Sequence, residues 1–561
     1  MAFKHLLAAL NAAFPLVRGA SYACNPATFS LPDTTVISAS PHSNASQIGL
    51  PGTVASCGEP DLVANITADL CRVVLSVQTS PSSAVQIEAW LPDEWSGRLL
   101  STSDGGIGGC IDYQTIQNGA YLGFASFGTN AGHNGSVGFD FFLNQPEVLN
   151  DFGHRAVHVE AETAKLVATQ FYGCAASKSY YAGCSTGGRQ AFQEARLYPE
   201  DFDGIIAGSP GIDWLHIVAS KGIIARRIGW PYLNSSAYVR TEQWTAIVAE
   251  IVKILDPLDG VVDGIIDNPT TQRFDPAILA CGTGVLNASV CLHPAQVESV
   301  RKAYEPIANT AGQIVYPSFE LGSNTGVFSA NQVNGTAQLS YTILQDFWLG
   351  AVYNNTGWTP MNFNETDMDF SIIVNPGRVN AGETDLSAFY KRGGKILSYH
   401  GRNDETVMSA LSERLFAGVQ SSLELSLDEI HSFYRLFFIP GMHHCSPGLG
   451  AWSIGNAQSY PWDYSRLDPE HNVLSALVRW VESGTAPDHI IGTKYVNDDV
   501  GGEVQSQRRH CVYPQISKWD GRGNVWRIDL IKDTEIFVHL GLPTSTLNVG
   551  TSQCIPIMLC V

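Results

Sequence analysis

Residues 178–208 constrain the fold more than any other stretch. KSYYAG reads as a strand, GGRQAFQEARLYP as a helix stopped by Pro199, and FDGIIAG as a buried strand. Strand, helix and strand within about 30 residues make a βαβ unit, whose crossover leaves its two strands parallel. The same grammar recurs elsewhere. AVQIEAWL alternates and ends at the turn residues Pro92 and Asp93, and GRLLSTSDGGIGG is a strand running into a glycine loop. GGKILSYHGRNDE and FYRLFFIPGMHHC again run from strand into loop. Residues 208–392 read differently, with helical stretches such as RTEQWTAIVAEIVKIL and many Asn, Gly and Pro loops. The predicted organisation is α/β: one sheet domain, residues 24–207 and 393–520, interrupted by a structured insertion over 208–392.

The turn inside the βαβ unit carries chemistry. Gly183-Cys184-Ser185-Thr186-Gly187 matches G-x-S-x-G, in which small neighbours let a serine occupy a strained strand-to-helix turn. The following helix points its N-terminus at that serine and favours negative charge on the reacting oxygen. An alkoxide-forming serine needs a base and a group that orients the base. Asp404 lies in the loop after KILSY and His444 in the loop after RLFFI, giving the order Ser, Asp, His. His400, Asn403, Glu405 and His443 compete for these roles, and the pattern alone leaves them open. Cys184 precedes the serine and Cys445 follows the histidine. If Ser185 and His444 meet, the two cysteines can come within the roughly 4.4–6.8 Å Cα separation that a disulfide requires. Oxyanion donors are expected at the backbone N–H of Thr186 and in SDGGIGG, at Gly105 or Gly106; an ordinary tight turn would use the same glycines.

Charge and processing signals set the surroundings. With 33 Lys and Arg against 53 Asp and Glu, a formal charge of −20 disfavours nucleic acid and anionic membranes as partners. The N-terminus, with Lys4, an apolar run from Leu6 to Val17 and Ser21-Tyr22-Ala23, reads as a signal peptide over residues 1–23. No later run is long enough for a membrane anchor. Twelve cysteines are consistent with secretion. So are eight sequons, at Asn44, Asn65, Asn134, Asn234, Asn287, Asn334, Asn354 and Asn364. LDPLDGVVDGIIDNP crowds Asp256, Asp259, Asp263 and Asp267 among glycines. Such carboxylates repel one another unless a hard cation such as Ca²⁺ takes them.

YYAGCSTGGRQ, YHGRND, the CS…D…HC arrangement and this acidic loop together resemble the fungal tannase and feruloyl esterase family, and its feruloyl esterase B branch most. The resemblance covers about residues 24 to 520. It implies a secreted serine esterase with an α/β-hydrolase fold and a large lid domain over 208–392. It implies a triad of Ser185, Asp404 and His444 and a linked Cys184–Cys445 pair. A structural calcium would be held by the side chains of Asp256, Asp259 and Asp263 and the carbonyls of Val261 and Ile265. It also implies the pairs Cys24–Cys71, Cys57–Cys110 and Cys281–Cys291, which spacing alone does not choose. Cys174 has no evident partner, and Cys511 is open between Cys554 and Cys560. The tail over 521–561 departs from the family pattern. The expected substrates are phenolic esters, feruloyl groups on plant cell-wall polysaccharide first and galloyl esters second. A non-catalytic glycan-binding protein on the same fold is the rival from another class.

Overall fold

The computed structural model describes residues 23–50, 54–57, 63–232, 234–269, 272–323, 330–333, 336–339, 341–458, 462–518 and 553–556. The expected signal peptide (apart from Ala23), Asn334 and most of the 521–561 tail lie outside these residues. A nine-stranded sheet organises the chain. Its strands are β1 (Thr34–His42), β2 (Leu70–Ser80), β3 (Ser83–Pro92), β4 (Arg98–Ser103), β5 (Ala125–Thr129), β6 (Lys178–Cys184), β7 (Gly204–Gly208), β8 (Lys395–Gly401) and β9 (Tyr434–Ile439). Their spatial order is β1-β2-β3-β5-β4-β6-β7-β8-β9. The first three strands and the β3–β5 pair run antiparallel. From β5 to β9 every pair is parallel.

Side-chain alternation along the parallel strands sends neighbours to opposite faces. Tyr180, Ile206, Leu397 and Phe437 join one apolar cluster, with Leu474, Leu477 and Trp480. Tyr181, Ile205, Ile396 and Leu436 join another, with Ala161, Ala191, Phe192 and Phe416. Helices that supply these covers include α1 (Tyr113–Tyr121), α2 (Ala156–Tyr172), α3 (Thr186–Leu197), and, past the insertion, Ala410–Ser422 and Val473–Ser483. Being covered on both faces has one consequence that alternation in AVQIEAWL did not anticipate. Only the start of β3 alternates, and the rest is buried throughout. Trp90 packs with Ile116 of α1, while Ala89 and Leu91 join the large cluster on the other face.

β7 and β8 are hydrogen-bonded neighbours, so the chain between them leaves the sheet and returns to the adjacent position. This excursion includes the helices α4 (Trp214–Arg227) and α5 (Thr241–Leu255). Its interior residues Trp244, Ile251, Val300 and Trp348 share one apolar cluster with Val73, Ile87 and Phe127 of the sheet. Both ends of the excursion are tied to α3 or to each other. Arg189, fully buried on α3, donates to the carbonyls of Phe152 (2.8 Å), Gly153 (2.7 Å) and Val379 (3.1 Å). Gln193, one turn on, donates to the carbonyls of Arg378 and Asn380. Asn380 in turn accepts the Leu215 N–H, and the Ala381 N–H donates to Ile212. Burial lowers the Arg189 guanidinium to about 9, which leaves it charged at neutral pH.

Arg189→Leu strands three buried carbonyls. It should cost about 2–4 kcal/mol in denaturant unfolding, with Arg189→Lys recovering only part because one ammonium cannot reproduce the fork. A loss within about 0.5 kcal/mol for the leucine variant would contradict this account of the clamp.

Candidate active site

Ser185, Asp404 and His444 follow the carboxyl ends of β6, β8 and β9, on one edge of the sheet. Ser185 sits between β6 and α3 with φ of 61° and ψ of −118°, outside the helical region and strained for a side chain with a Cβ. The turn closes because its neighbours are glycines. A Cβ on Gly183 would stand 2.7 Å from the Gly187 carbonyl carbon, and one on Gly187 2.8 Å from the Ser103 oxygen. The Ser185 N–H donates to the Gly208 carbonyl of β7, which fixes the turn to the sheet.

His444 Nε2 lies 2.8 Å from Ser185 Oγ, and His444 Nδ1 lies 2.7 Å from Asp404 Oδ2. Asp404 is acceptor-only when ionised, so the imidazole carries its proton on Nδ1 and presents a lone pair to the serine hydroxyl. Asp404 is fully buried. Its Oδ1 accepts the N–H groups of Thr406 and Val407, each at 2.8 Å. His400 Nε2 lies 2.9 Å from the Val407 carbonyl and 3.2 Å from Asp404 Oδ2. Both neighbours are oxygens, so His400 donates from Nε2 and accepts the Ser412 hydroxyl at Nδ1. Burial alone would raise the Asp404 carboxyl. His444 and His400 outweigh it and hold the group well below the usual carboxylate range. Burial likewise works to lower His444, and the Asp404 charge and hydrogen bond prevail and raise it above 6.5.

The competing residues have other partners. His443 Nδ1 faces Glu405 at 3.5 Å and the Asn403 carbonyl at 3.3 Å. Asn403 donates to the Gly322 carbonyl and accepts the Gly441 N–H, joining the loops after β8 and β9 to the 208–392 excursion. Cys184 and Cys445 are bonded, with Cα atoms 6.1 Å apart, across 261 residues of chain. The bonds Cys24–Cys71, Cys57–Cys110 and Cys281–Cys291 are also present. Cys511 is disulfide-bonded as well, and Cys174 is free and exposed.

The glycine loop after β4 lies against the elbow. A Cβ on Gly105 would stand 3.7 Å from Ser185 Cβ, and Thr186 Oγ1 donates to the Gly106 carbonyl at 2.6 Å. Sequence reasoning missed Gln458, which donates to the Ser103 carbonyl and would lie 3.3 Å from that Gly105 Cβ. It also missed Trp214, whose indole N–H donates to Thr186 Oγ1 and whose ring is 4.2 Å from Phe347. Neither has a local motif. Each acquires meaning only through a contact made across the fold.

In the acidic loop, Asp256 is buried and its Oδ1 accepts the N–H groups of Asp263 and Ile265. Asp259 Oδ1 accepts the Val261 N–H, and Asp263 Oδ1 that of Ile265. Asp267 is turned to Arg508, which also lies 3.6 Å from Asp263. Asp256, Asp259 and Asp263 thus each brace one carboxylate oxygen on the loop's own backbone and keep a second oxygen of the type that a hard cation takes. Among the described residues, the three ligand-type groups lying within 4.8 Å of one another are His158, Glu194 and Asp201, outside this loop. Among the sequon residues, Asn44, Asn134, Asn234, Asn287, Asn354 and Asn364 are exposed and Asn65 is half-buried. Among the described residues no helix is long and apolar enough to cross a membrane.

An imidazole acting as base at His444 must be neutral, so lowering the pH should remove activity. Because its pKa is raised, the acid limb of kcat/KM should have its midpoint above 6.5. Asp404→Asn removes the charge that raises it, and should lower the midpoint and cut kcat by about 10,000-fold. A pH profile with the wild-type midpoint below 6.5 would contradict this electrostatic account.

Comparison with known proteins places this geometry in context. A family model described as "Tannase and feruloyl esterase" matches residues 71–531. A protein named "Probable feruloyl esterase B-2" from Aspergillus fumigatus is 38% identical over 477 residues, covering 85% of this chain and 88% of that protein. One of the same name from Aspergillus flavus is 39% identical over 467 residues, covering 83% and 87%. The crystal structure of feruloyl esterase B from Aspergillus oryzae matches with a TM-score of 0.82 at 34% identity, covering 91% of this chain and 98% of that one. Tannin acyl hydrolase from Aspergillus niger, at 20% identity and TM-score 0.68 over 92% and 94%, shares the fold. The chain is a carboxylic ester hydrolase and belongs to the tannase and feruloyl esterase family.

Proposed function

We propose that this enzyme cleaves hydroxycinnamoyl esters of the feruloyl type through an acyl intermediate on Ser185. The observation that carries the reading is the continuous path from Ser185 Oγ through His444 to buried Asp404. His444 Nε2 takes the hydroxyl proton as Oγ attacks the ester carbonyl, and Asp404 stabilises the imidazolium that forms. The imidazolium then protonates the departing alcohol, and water, activated by the same imidazole, releases the acid. The Thr186 N–H at the start of α3 and an N–H of Gly105 or Gly106 are the donors for the oxyanion.

The scaffold is proposed as an α/β-hydrolase domain formed by residues 24–207 and 393–520, with 208–392 as a lid. The rings of Trp214 and Phe347 of that lid pack against each other, tilted by 57° with centroids 4.2 Å apart, and the Trp214 indole reaches the elbow at Thr186. Ile343 would come within 3.8 Å of a Cβ on Gly106, so apolar side chains reach the site where an aromatic acyl group would lie. Feruloyl esters are preferred over galloyl esters because the more similar relatives carry feruloyl esterase names. Calcium held by Asp256, Asp259, Asp263 and the carbonyls of Val261 and Ile265 would order the acidic loop and take no part in acyl transfer. Secretion after removal of residues 1–23, glycosylation at the sequons and a cell-wall polysaccharide as the ester's carrier complete the proposal.

Methyl ferulate, caffeate, p-coumarate and gallate, assayed side by side, test the substrate. Ferulate should give the highest kcat/KM, and Ser185→Ala should lose about 10,000-fold or more on every ester. Gallate as the best substrate would overturn the feruloyl reading. Dialysis against EDTA should lower the melting temperature, with recovery on adding CaCl₂. An unchanged melting temperature and no calcium by mass spectrometry would remove the metal.

A further inference from the structure

Lys221 is 1% exposed, on α4, in a helix face otherwise made of apolar and small residues. Burying an ammonium is costly unless it is paired and hydrogen-bonded, so its surroundings should explain its presence. Its Nζ donates to the carbonyl of Thr406. That carbonyl belongs to the same peptide unit as the Val407 N–H, which donates to Asp404 Oδ1 at 2.8 Å. Nζ also lies over the rings of Phe319, at 5.0 Å, and Tyr341, at 5.8 Å. Both rings come from the 208–392 segment. A hydrogen bond accepted at one end of a peptide polarises the N–H at the other and strengthens its bond.

We propose that Lys221 is a positioning residue for ester hydrolysis, holding and polarising the Thr406–Val407 peptide that grips Asp404. The proposal rests on the reading of Ser185, His444 and Asp404 as the reacting relay. Lys221 touches neither ester nor nucleophile and acts through Asp404 on His444. It also makes the relay depend on the 208–392 segment, since the ammonium arrives on the second helical turn of α4. The charged and titratable groups facing it are Asp404 and Glu405 from the loop after β8, His444 from the loop after β9, and Tyr341 from the segment. Burial lowers the ammonium to about 7, with Asp404 and Glu405 opposing. Its positive charge works against protonation of His444. The sign follows. Removing the charge should raise the His444 pKa, and because activity needs the neutral imidazole, the acid limb should move to higher pH.

Lys221→Met and Lys221→Gln separate charge from hydrogen bonding. Each is assayed on methyl ferulate per active site, counted by stoichiometric phosphonylation of the serine. Lys221→Met should lower kcat by about ten- to a hundredfold with KM within about twofold, and should displace the acid limb upward. Lys221→Gln, which keeps a donor for Thr406, should recover much of kcat while the limb stays displaced. An unmoved limb in both variants with kcat per labelled site within about twofold of wild type would overturn the proposal. The Ser185→Ala control keeps the two readings apart. Activity surviving there would overturn the relay, whereas an inactive Ser185→Ala beside wild-type-like Lys221 variants would overturn the Lys221 proposal alone.

Discussion

The parallel register of β6, β7, β8 and β9 is the constraint on which the site depends. Parallel neighbours place the carboxyl ends of their strands on one edge, and loops leaving that edge meet without any long-range design of their own. Ser185, Asp404 and His444 leave three of those four strands, and the fourth accepts the Ser185 N–H through Gly208. The Cys184–Cys445 bond then adds a covalent limit to an arrangement already set by the sheet. By chain entropy, closing so long a loop is worth up to about 5 kcal/mol.

Polar contacts, added to apolar packing, join the 208–392 segment to this edge. Arg189 and Gln193 reach from α3 to carbonyls at the segment's far end, Asn403 reaches Gly322, and Lys221 reaches Thr406. Apolar packing tolerates small slips, whereas a buried donor that loses its carbonyl is left with the full cost of desolvation. Such links fix the segment in one position relative to the elbow. A segment held in that way is suited to shaping a pocket over Ser185, the role proposed for it.

Features encoded locally were legible in the sequence, and features encoded by tertiary partners were not. The βαβ unit, the elbow glycines and the strand-to-loop segments before Asp404 and His444 are patterns of neighbouring residues. The structure has a strand, turn and helix over 178–197 and strands ending at Gly401 and Ile439. β3 loses its alternation because helices and apolar loops cover both of its faces. Arg189, Gln458 and Lys221 looked like ordinary polar residues until their carbonyl partners, up to hundreds of residues away, were known. Asp267 is the reverse case. It sits in the acidic run by sequence, yet its charge is taken by Arg508, 241 residues on.

The central claim is that acyl transfer passes through one hydroxyl. Rapid acid quenching of the enzyme during turnover of methyl ferulate, followed by proteolysis and mass spectrometry, tests it most directly. The account predicts one feruloylated peptide, the one containing Ser185, and none in the His444→Ala variant. A feruloyl group on another residue, or turnover with no covalent adduct when release of the acid is slowed, would contradict it.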